Sequence, residues 1–425
     1  MSMRTGYGGG TAASIRYPGW KVTLIAFVSF FFAYGAPVAT LPMIYGEVMK
    51  EFGWARTEAT LIWTYKGVTG TLVTFFVLGP LVERIGLKPV LIIALVAEGL
   101  GMAAFSLIHS VWVYYLCGAL VGLGQAAVLV GLKLIVSRWF MRNLGLAIGI
   151  AVAGTSVGAS VFPFVADSLL TLVGWRLTFA AISLGVFLVA IPLCLLANDT
   201  PRPEELGIEA APIRSGGVDA DRLKQADADA NARPFLAQPA FWAICVAIML
   251  VAAVDQGLYQ HTVLYLTGDV GMRRSAAAWV LSITFLVSIA AKFLAGRLFD
   301  RLSIKGVAVW YMLVGLAVLL AFPVQGIVTA LIFAFMRGVS HGGLVVDSPV
   351  IAKHRFGPRK LNQVLPILTG CFTLGSSTGP VLLAMIYDRT GSYSWGFAAF
   401  AIAALAAALL LATVRPLYRE RLGAV

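Results

Sequence analysis

The sequence predicts an all-α integral membrane protein of twelve transmembrane helices, arranged as two six-helix pseudo-repeats. Three observations carry this: too few charges for the apolar content, apolar runs of spanning length, and motifs that recur half a chain apart. Of the 425 residues, 59% are hydrophobic and only 12% are charged, against about 25% charged in an ordinary soluble domain. Mean hydropathy is +0.87. A water-soluble globule of this size cannot cover so much apolar surface, and a disordered chain needs the opposite composition. In lipid the backbone must satisfy its own hydrogen bonds. Apolar runs of about 20 residues do so as helices, whereas barrel strands are about half that length and alternate in polarity.

In chain order the spans run at 20–44, 57–82, 89–108, 111–138, 143–168 and 174–197, then at 240–267, 275–299, 305–324, 327–354, 362–387 and 394–415. The first begins near Trp20 and is long enough to span, so it reads as an uncleaved helix rather than a signal peptide. Residues 198–238 are rich in Pro, Asp, Arg and Ala and read as a cytoplasmic linker. They separate an N-terminal six-helix bundle, 1–197, from a C-terminal one, 239–425.

The net charge is +12. In a soluble protein that would suggest a nucleic-acid partner; here it follows from retention of basic loops on the cytoplasmic side, and no nucleic acid is expected. With the N-terminus inside, cytoplasmic segments hold 22 of the 32 Lys and Arg residues and external loops hold six: Lys50, Arg56, Arg176, Arg273, Arg274 and Arg389. The asymmetry places both termini in the cytoplasm. It leaves four cations inside the spans: Lys66, Lys133, Lys292 and Arg337.

The internal repeat is visible at several places. Gly53-Trp54 before span 2 echoes Gly271-Met272 before span 8, and Gly79-Pro-Leu-Val-Glu-Arg84 echoes Gly296-Arg-Leu-Phe-Asp-Arg301. Phe140 echoes Phe356, Gly154 echoes Gly370 and Gly174 echoes Gly391, all at offsets of 216 to 218. An even number of spans per unit makes the repeat parallel, with its axis along the membrane normal and a midplane site between the halves.

These residues also carry a family resemblance. Gly79-Pro-Leu-Val-Glu-Arg-Ile-Gly-Leu-Lys88 resembles the loop 2–3 signature of the major facilitator superfamily, G-x-L-x-D-R-x-G-x-[RK], with Glu83 in the aspartate position; Gly296 to Lys305 is a weaker second copy. Arg138-Trp-Phe-Met-Arg142, the run from Leu144 to Gly154, Gly158 and Gly174-Trp-Arg176 resemble the branch of monocarboxylate transporters and oxalate/formate antiporters. So do Phe52-Gly-Trp54, Ala291-Lys-Phe-Leu-Ala-Gly296 and Tyr387-Asp-Arg-Thr-Gly-Ser-Tyr393. Ser288 stands where many animal monocarboxylate carriers have an aspartate, and span 11 lacks the lysine of oxalate/formate carriers. The resemblance implies the major facilitator fold, a monomer, and gating by Glu83, Arg84, Asp300 and Arg301, acid–base pairs that latch cytoplasmic helix ends in one conformation. It also aligns Lys292 with the family's substrate-facing cation.

A charge at the bilayer centre costs about 2.5–3.5 kcal/mol on insertion scales, so each buried ion needs a reason. Lys292 reads as the counter-ion of a substrate carboxylate, or as half of a structural pair with an acid such as Asp347. Arg337 can offer a carboxylate its two-pronged guanidinium or lock span 10 to a neighbour; His341 lies one turn further on the same face, as a substrate contact, a proton relay or a hydrogen-bonded interior residue. Lys66 lines the cavity or neutralises an acid, and Lys133 snorkels to the interface. Asp255 opens a polar patch in span 7 with Gln256, Tyr259, Gln260 and His261. A carboxyl in such a place can hold a proton near neutral pH, which makes Asp255 and Asp347 candidates for proton coupling, or else permanent partners of the cations. Glu98 in span 3 reads as a packing or helix-pairing residue. Tyr34, Tyr259, His261 and Gln125 complete the candidate substrate site, each with a packing role as its alternative; Gly35, Pro37 and Pro42 mark a bent helix beside a pathway.

No enzyme motif is present, and neither the four histidines nor Cys117, Cys194, Cys245 and Cys371 have metal-ligand spacing. No cofactor is expected. The expectation is a secondary carrier of small organic anions, foremost monocarboxylates, working by alternating access with proton coupling. Its brevity suggests a bacterial inner membrane. An exporter of drug-like compounds and a non-transporting sensor of the same fold are the alternatives.

Overall fold

The computed structural model describes residues 17–140, 144–198, 234–344, 346–357 and 360–417. Nearly all of the expected linker, and the Met141-Arg142 end of the motif after span 4, lie outside the described residues. Within them every regular element is helical. Ten helices are long and apolar enough to cross a membrane. The first four are α1 (Pro18–Phe52), α2 (Arg56–Ile85), α3 (Leu87–Leu107) and α4 (Val111–Trp139). A 51-residue stretch, Leu146–Leu196, follows; Gly174 breaks it with φ 74° and ψ 171°, giving α5 (144–173) and α6 (175–196). Then come α7 (Pro239–Asp269), α8 (Arg274–Leu302), α10 (Ile327–Phe356), α11 (Leu361–Thr390) and α12 (Tyr393–Thr413), with the shorter 16-residue α9 (Ile304–Leu319) between α8 and α10. Large apolar side chains face outward along the bundle, among them Phe76, Trp112, Leu172, Leu188 and Trp395. Such a surface is stable in lipid and not in water. The chain is an integral, multi-pass membrane protein.

The repeat read from sequence recurs as backbone geometry. Gly53 and Gly271 both have positive φ, at 69° and 75°, and so do Gly174 and Gly391, at 74° and 69°. Gly86 (φ 88°) corresponds to Ser303 (φ 57°), the one non-glycine with positive φ among the described residues. Helix packing repeats as well. A Cβ on Gly154 would lie 2.1 Å from the Phe27 carbonyl oxygen, and one on Gly158 2.5 Å from that of Phe31, so α5 packs backbone to backbone on α1. Gly375 and Gly379 of α11 meet the Met249 and Ala253 carbonyls of α7 in the same way, at 2.1 and 2.0 Å. Gly154 is therefore matched in packing by Gly375, whereas Gly370 faces Phe75 at 3.6 Å; the expected echo between Gly154 and Gly370 is five residues out of register.

Three wide, π-type turns interrupt the helices, at Phe31–Gly35, Val73–Val77 and Val186–Ala190. Each is followed within three residues by a proline: Pro37, Pro80 and Pro192. A proline has no N–H and its ring collides with the carbonyl four residues back. Those carbonyls, of Ala33, Phe76 and Leu188, all fall within the wide turns, which give the ring room without ending the helix. The first turn carries Tyr34 and bends α1 where it meets Gly158 of α5.

Helices α1–α6 and α7–α12 meet chiefly along α2 with α11 and α5 with α8. Trp63 Nε1 donates to the Ser376 carbonyl at 3.0 Å and Thr64 Oγ1 to that of Ser377 at 2.5 Å. Across the other seam Phe164 packs edge-on against Trp279, with centroids 4.6 Å apart.

Candidate functional site

At the end of the bundle where α1 passes into α2, ionic contacts join α1–α6 to α7–α12. Arg56 begins α2; its Nη2 lies 3.1 Å from Asp269 Oδ2 at the end of α7, and its Nη1 donates to Tyr393 Oη at 2.5 Å. The guanidinium also stacks 3.5 Å above the Tyr387 ring. Asp388 of α11 accepts the backbone N–H of Arg56 (3.3 Å) and of Thr57 (2.9 Å), and the Thr57 hydroxyl (2.6 Å). It thus caps the start of α2 from the opposite set of helices, satisfying N–H groups that have no partner within the helix. Arg274 begins α8 and mirrors this, with Nη1 2.7 Å from Glu47 of α1 and Nε 2.7 Å from Asp167 of α5.

His261 stands directly behind this latch. Its Nε2 lies 2.9 Å from the Pro380 carbonyl, so Nε2 carries the hydrogen, and Nδ1 accepts from Tyr393 Oη at 2.8 Å. The chain Arg56–Tyr393–His261–Pro380 occupies both ring nitrogens. Tyr259 donates to the Val38 carbonyl at 3.1 Å and Tyr45 to Gln260 Oε1 at 2.7 Å, both between α7 and α1.

Deeper in the second set of helices, Asp255, Arg337 and His341 form one cluster. Arg337 Nη1 donates to Asp255 Oδ1 and Nη2 to the Asp255 carbonyl, both at 2.6 Å. His341 Nδ1 lies 3.0 Å from Asp255 Oδ2, and Gln256 Nε2 donates to the same oxygen at 3.0 Å. Asp255 is fully buried and Arg337 nearly so. Of the two readings the sequence left for Arg337, the pair with a neighbouring helix is the one this geometry adopts, and Asp255 is its partner. Asp347 is hydrogen-bonded by Tyr311 Oη of α9 at 2.7 Å and by the Ser348 hydroxyl at 2.9 Å. It makes no pair with Lys292.

Lys292 is half-buried on α8, and its Nζ reaches 2.5 Å from Ser156 Oγ of α5. No carboxylate lies within ion-pair distance of it among the described residues. The first set of helices gathers Tyr34, Lys66, Glu98 and Gln125. Gln125 Nε2 lies 3.4 Å from the Ala33 and Tyr34 carbonyls, in the wide turn of α1. Lys66 Nζ sits 3.9 Å above the Trp63 ring. Lys133 is half-buried near the terminal end of α4.

At the opposite end of the bundle, Glu83, Arg84, Asp300 and Arg301 are all exposed. A Cβ added at Gly79 or Gly296 would meet nothing within 4 Å. The bundle is therefore tied at the Arg56 end by charges that the sequence reads as loop residues. The missed signal is legible in retrospect: Arg56 and Arg274 follow the repeated glycines, and acids close α1, α5, α7 and α11.

Comparison with known proteins agrees with this architecture. The family model of the Major Facilitator Superfamily matches residues 22–270 and 248–424. Monocarboxylate transporter 12 of Mus musculus is 26% identical over 343 residues, 76% of this chain and 69% of that protein. Monocarboxylate transporter 1 of Rattus norvegicus is 24% identical over 425 residues, 92% of this chain and 83% of that one. Among solved structures, a bacterial homologue of the human lysosomal transporter Spinster, in an inward-facing and unoccupied conformation, superposes with a TM-score of 0.68 at 17% identity, covering 97% of this chain and 98% of that one. The chain belongs to the major facilitator superfamily of transporters.

Proposed function

We propose that the protein is a proton-coupled carrier of small organic anions, foremost monocarboxylates, working by alternating access. Twelve crossings form two six-helix halves, 1–197 and 239–425, joined by a cytoplasmic linker at 198–238. The excess of basic residues on the terminal side puts both termini in the cytoplasm. The tied end then faces outward, and the exposed Glu83, Arg84, Asp300 and Arg301 face the cytoplasm. Rocking of the halves would exchange one set of ion pairs for the other.

The observation that carries the substrate reading is the state of Lys292. A cation inside a membrane protein is paired unless something else needs it, and Lys292 has only a hydroxyl from the opposite half. Arg337 is held by Asp255, so the anion's first counter-ion is Lys292, with Ser156 closing the site from α5. Tyr34 and Gln125 lie in the same half as Ser156 and supply polar edges. Asp255, between Arg337 and His341, is placed to answer protonation with a change of partners.

The test is uptake by purified protein in liposomes, with radiolabelled pyruvate and a panel of carboxylates and organic cations as competitors. Lys292→Ala should lower anion uptake at least about 100-fold, equivalent to about 2.7 kcal/mol, with the protein still monodisperse. Wild-type uptake by that variant, or competition by cations alone, overturns the reading.

A further inference from the structure

We propose that Glu98 is a proton-binding residue of the transport cycle, and that its proton controls whether Lys66 is free to face an anion. The proposal rests on the organic-anion reading above and adds a site to it. Glu98 is fully buried on α3, and neither carboxylate oxygen has a hydrogen-bond partner. Lys66 on α2 is also buried, yet its ammonium lies over the Trp63 ring and makes no ion pair among the described residues. The two charges are close enough to interact electrostatically. A buried acid and a buried base that stand near each other unpaired are unusual, because either ion alone is costly in an apolar interior.

A neutral, protonated Glu98 removes the conflict. The surroundings of the carboxyl offer nothing else to stabilise a negative charge. The titratable groups that face it are Tyr34 from α1 and Lys66 from α2. From α4 it meets Gly124, where an added Cβ would lie 2.5 Å from Glu98 Cβ. When Glu98 loses its proton to water, the carboxylate draws the Lys66 ammonium away from Trp63 and the pair neutralises itself. When a proton returns to the carboxylate, Lys66 is released with its charge intact. A transported anion gains a second cation only in the protonated state, so proton and anion bind together.

The geometry links this exchange to rocking. Trp63, on which Lys66 rests, is anchored through Nε1 to the Ser376 carbonyl of α11 at 3.0 Å. Gly67, one residue beyond Lys66, is in tight contact with Ser377. Opening the Arg56 end separates α2 from α11, removes that anchor and lets Lys66 turn toward Glu98.

Two measurements decide the matter. In infrared difference spectra of purified protein across a pH step, wild type should show the band of a protonated buried carboxyl that is absent from Glu98→Gln. Lys66→Gln should keep the band to higher pH, because the cation that stabilises the carboxylate is gone. Spectra unchanged by Glu98→Gln overturn the proposal. In liposomes, Glu98→Gln should retain counterflow of pyruvate while losing the acceleration of uptake by an acid exterior; retained acceleration also overturns it. If wild-type protein moves no carboxylate in the panel, the organic-anion reading fails, and the infrared result alone decides whether Glu98 holds a proton.

Discussion

Arg56 and Arg274 open equivalent helices from opposite halves of the chain, and each grips acids belonging to the other half. The Arg56 guanidinium holds Asp269, at the end of α7, while Asp388 of α11 accepts its backbone N–H; the Arg274 guanidinium holds Glu47 and Asp167, near the ends of α1 and α5. The internal repeat thus places the same device twice, once on each side of the seam. Two contacts, one on each seam, resist separation of the seams better than one.

Removing the latch should therefore shift the conformational equilibrium. Partly exposed ion pairs contribute about 0.2–1 kcal/mol, and the stacking of Arg56 on Tyr387 adds a similar amount. Arg56→Ala with Arg274→Ala should favour opening of that end by about 2 kcal/mol, or roughly 30-fold. A cysteine at Ser377, buried between α2 and α11, introduced into a chain without its native cysteines, reports this as a rise in maleimide labelling rate. An unchanged rate means that the ion pairs do not hold the seam.

The Asp255–Arg337 pair has a different energetics. It is almost fully buried, so removal of one partner leaves an uncompensated charge, at a cost of about 3–5 kcal/mol. Arg337→Met should lower the thermal midpoint of the purified protein sharply. Arg337→Met combined with Asp255→Leu should recover most of it, since apolar replacement of a buried pair is often neutral. If the double variant is as unstable as the single one, the cluster contributes packing rather than charge balance.

How far the sequence foretold the structure depended on the range of the interaction. Gly53 with Gly271 and Gly174 with Gly391 were legible because positive φ is a local demand that selects glycine. Apolar helices of crossing length were legible because burial in lipid sets their length, and ten are present among the described residues. The latch was not, because Asp388 lies 332 residues from Arg56 and a basic residue in a short loop is ordinarily a topology signal and nothing more. Arg337 was found as an anomalous charge, but the choice between substrate and Asp255 as its partner depends on how α7 and α10 face each other. For Glu98 the sequence gives its depth and not the absence of a hydrogen-bond donor around it.

Glycine packing gives a third prediction. At Gly375 an added Cβ would lie 2.1 Å from the Met249 carbonyl oxygen, too close for any shift of a flexible side chain to relieve. Gly375→Ala should push α11 off α7 and destabilise the protein by about 1–3 kcal/mol. Gly154→Ala should do the same to α5 and α1. Gly149→Ala, where nothing lies within 4 Å, should leave the thermal midpoint unchanged or raise it slightly through helix propensity. Equal tolerance at all three positions means that the helices are not in backbone contact.

The contact between Lys292 and Ser156 yields the last. If the serine hydroxyl stands where a substrate oxygen binds, it competes with the substrate for the ammonium. A hydrogen bond to a charged group contributes about 1.5–3 kcal/mol, and part of that is returned when the substrate takes its place. Ser156→Ala should therefore lower KM for the transported anion, by up to about tenfold, since one power of ten corresponds to about 1.4 kcal/mol. If instead the hydroxyl binds the anion alongside Lys292, the same substitution raises KM. Lys292→Arg separates charge from shape: it retains the positive charge but replaces a compact ammonium by a planar fork, so uptake should fall less than in Lys292→Ala. Equal loss in both lysine variants means that position 292 is required for its geometry, and a raised KM in Ser156→Ala assigns the hydroxyl to the substrate.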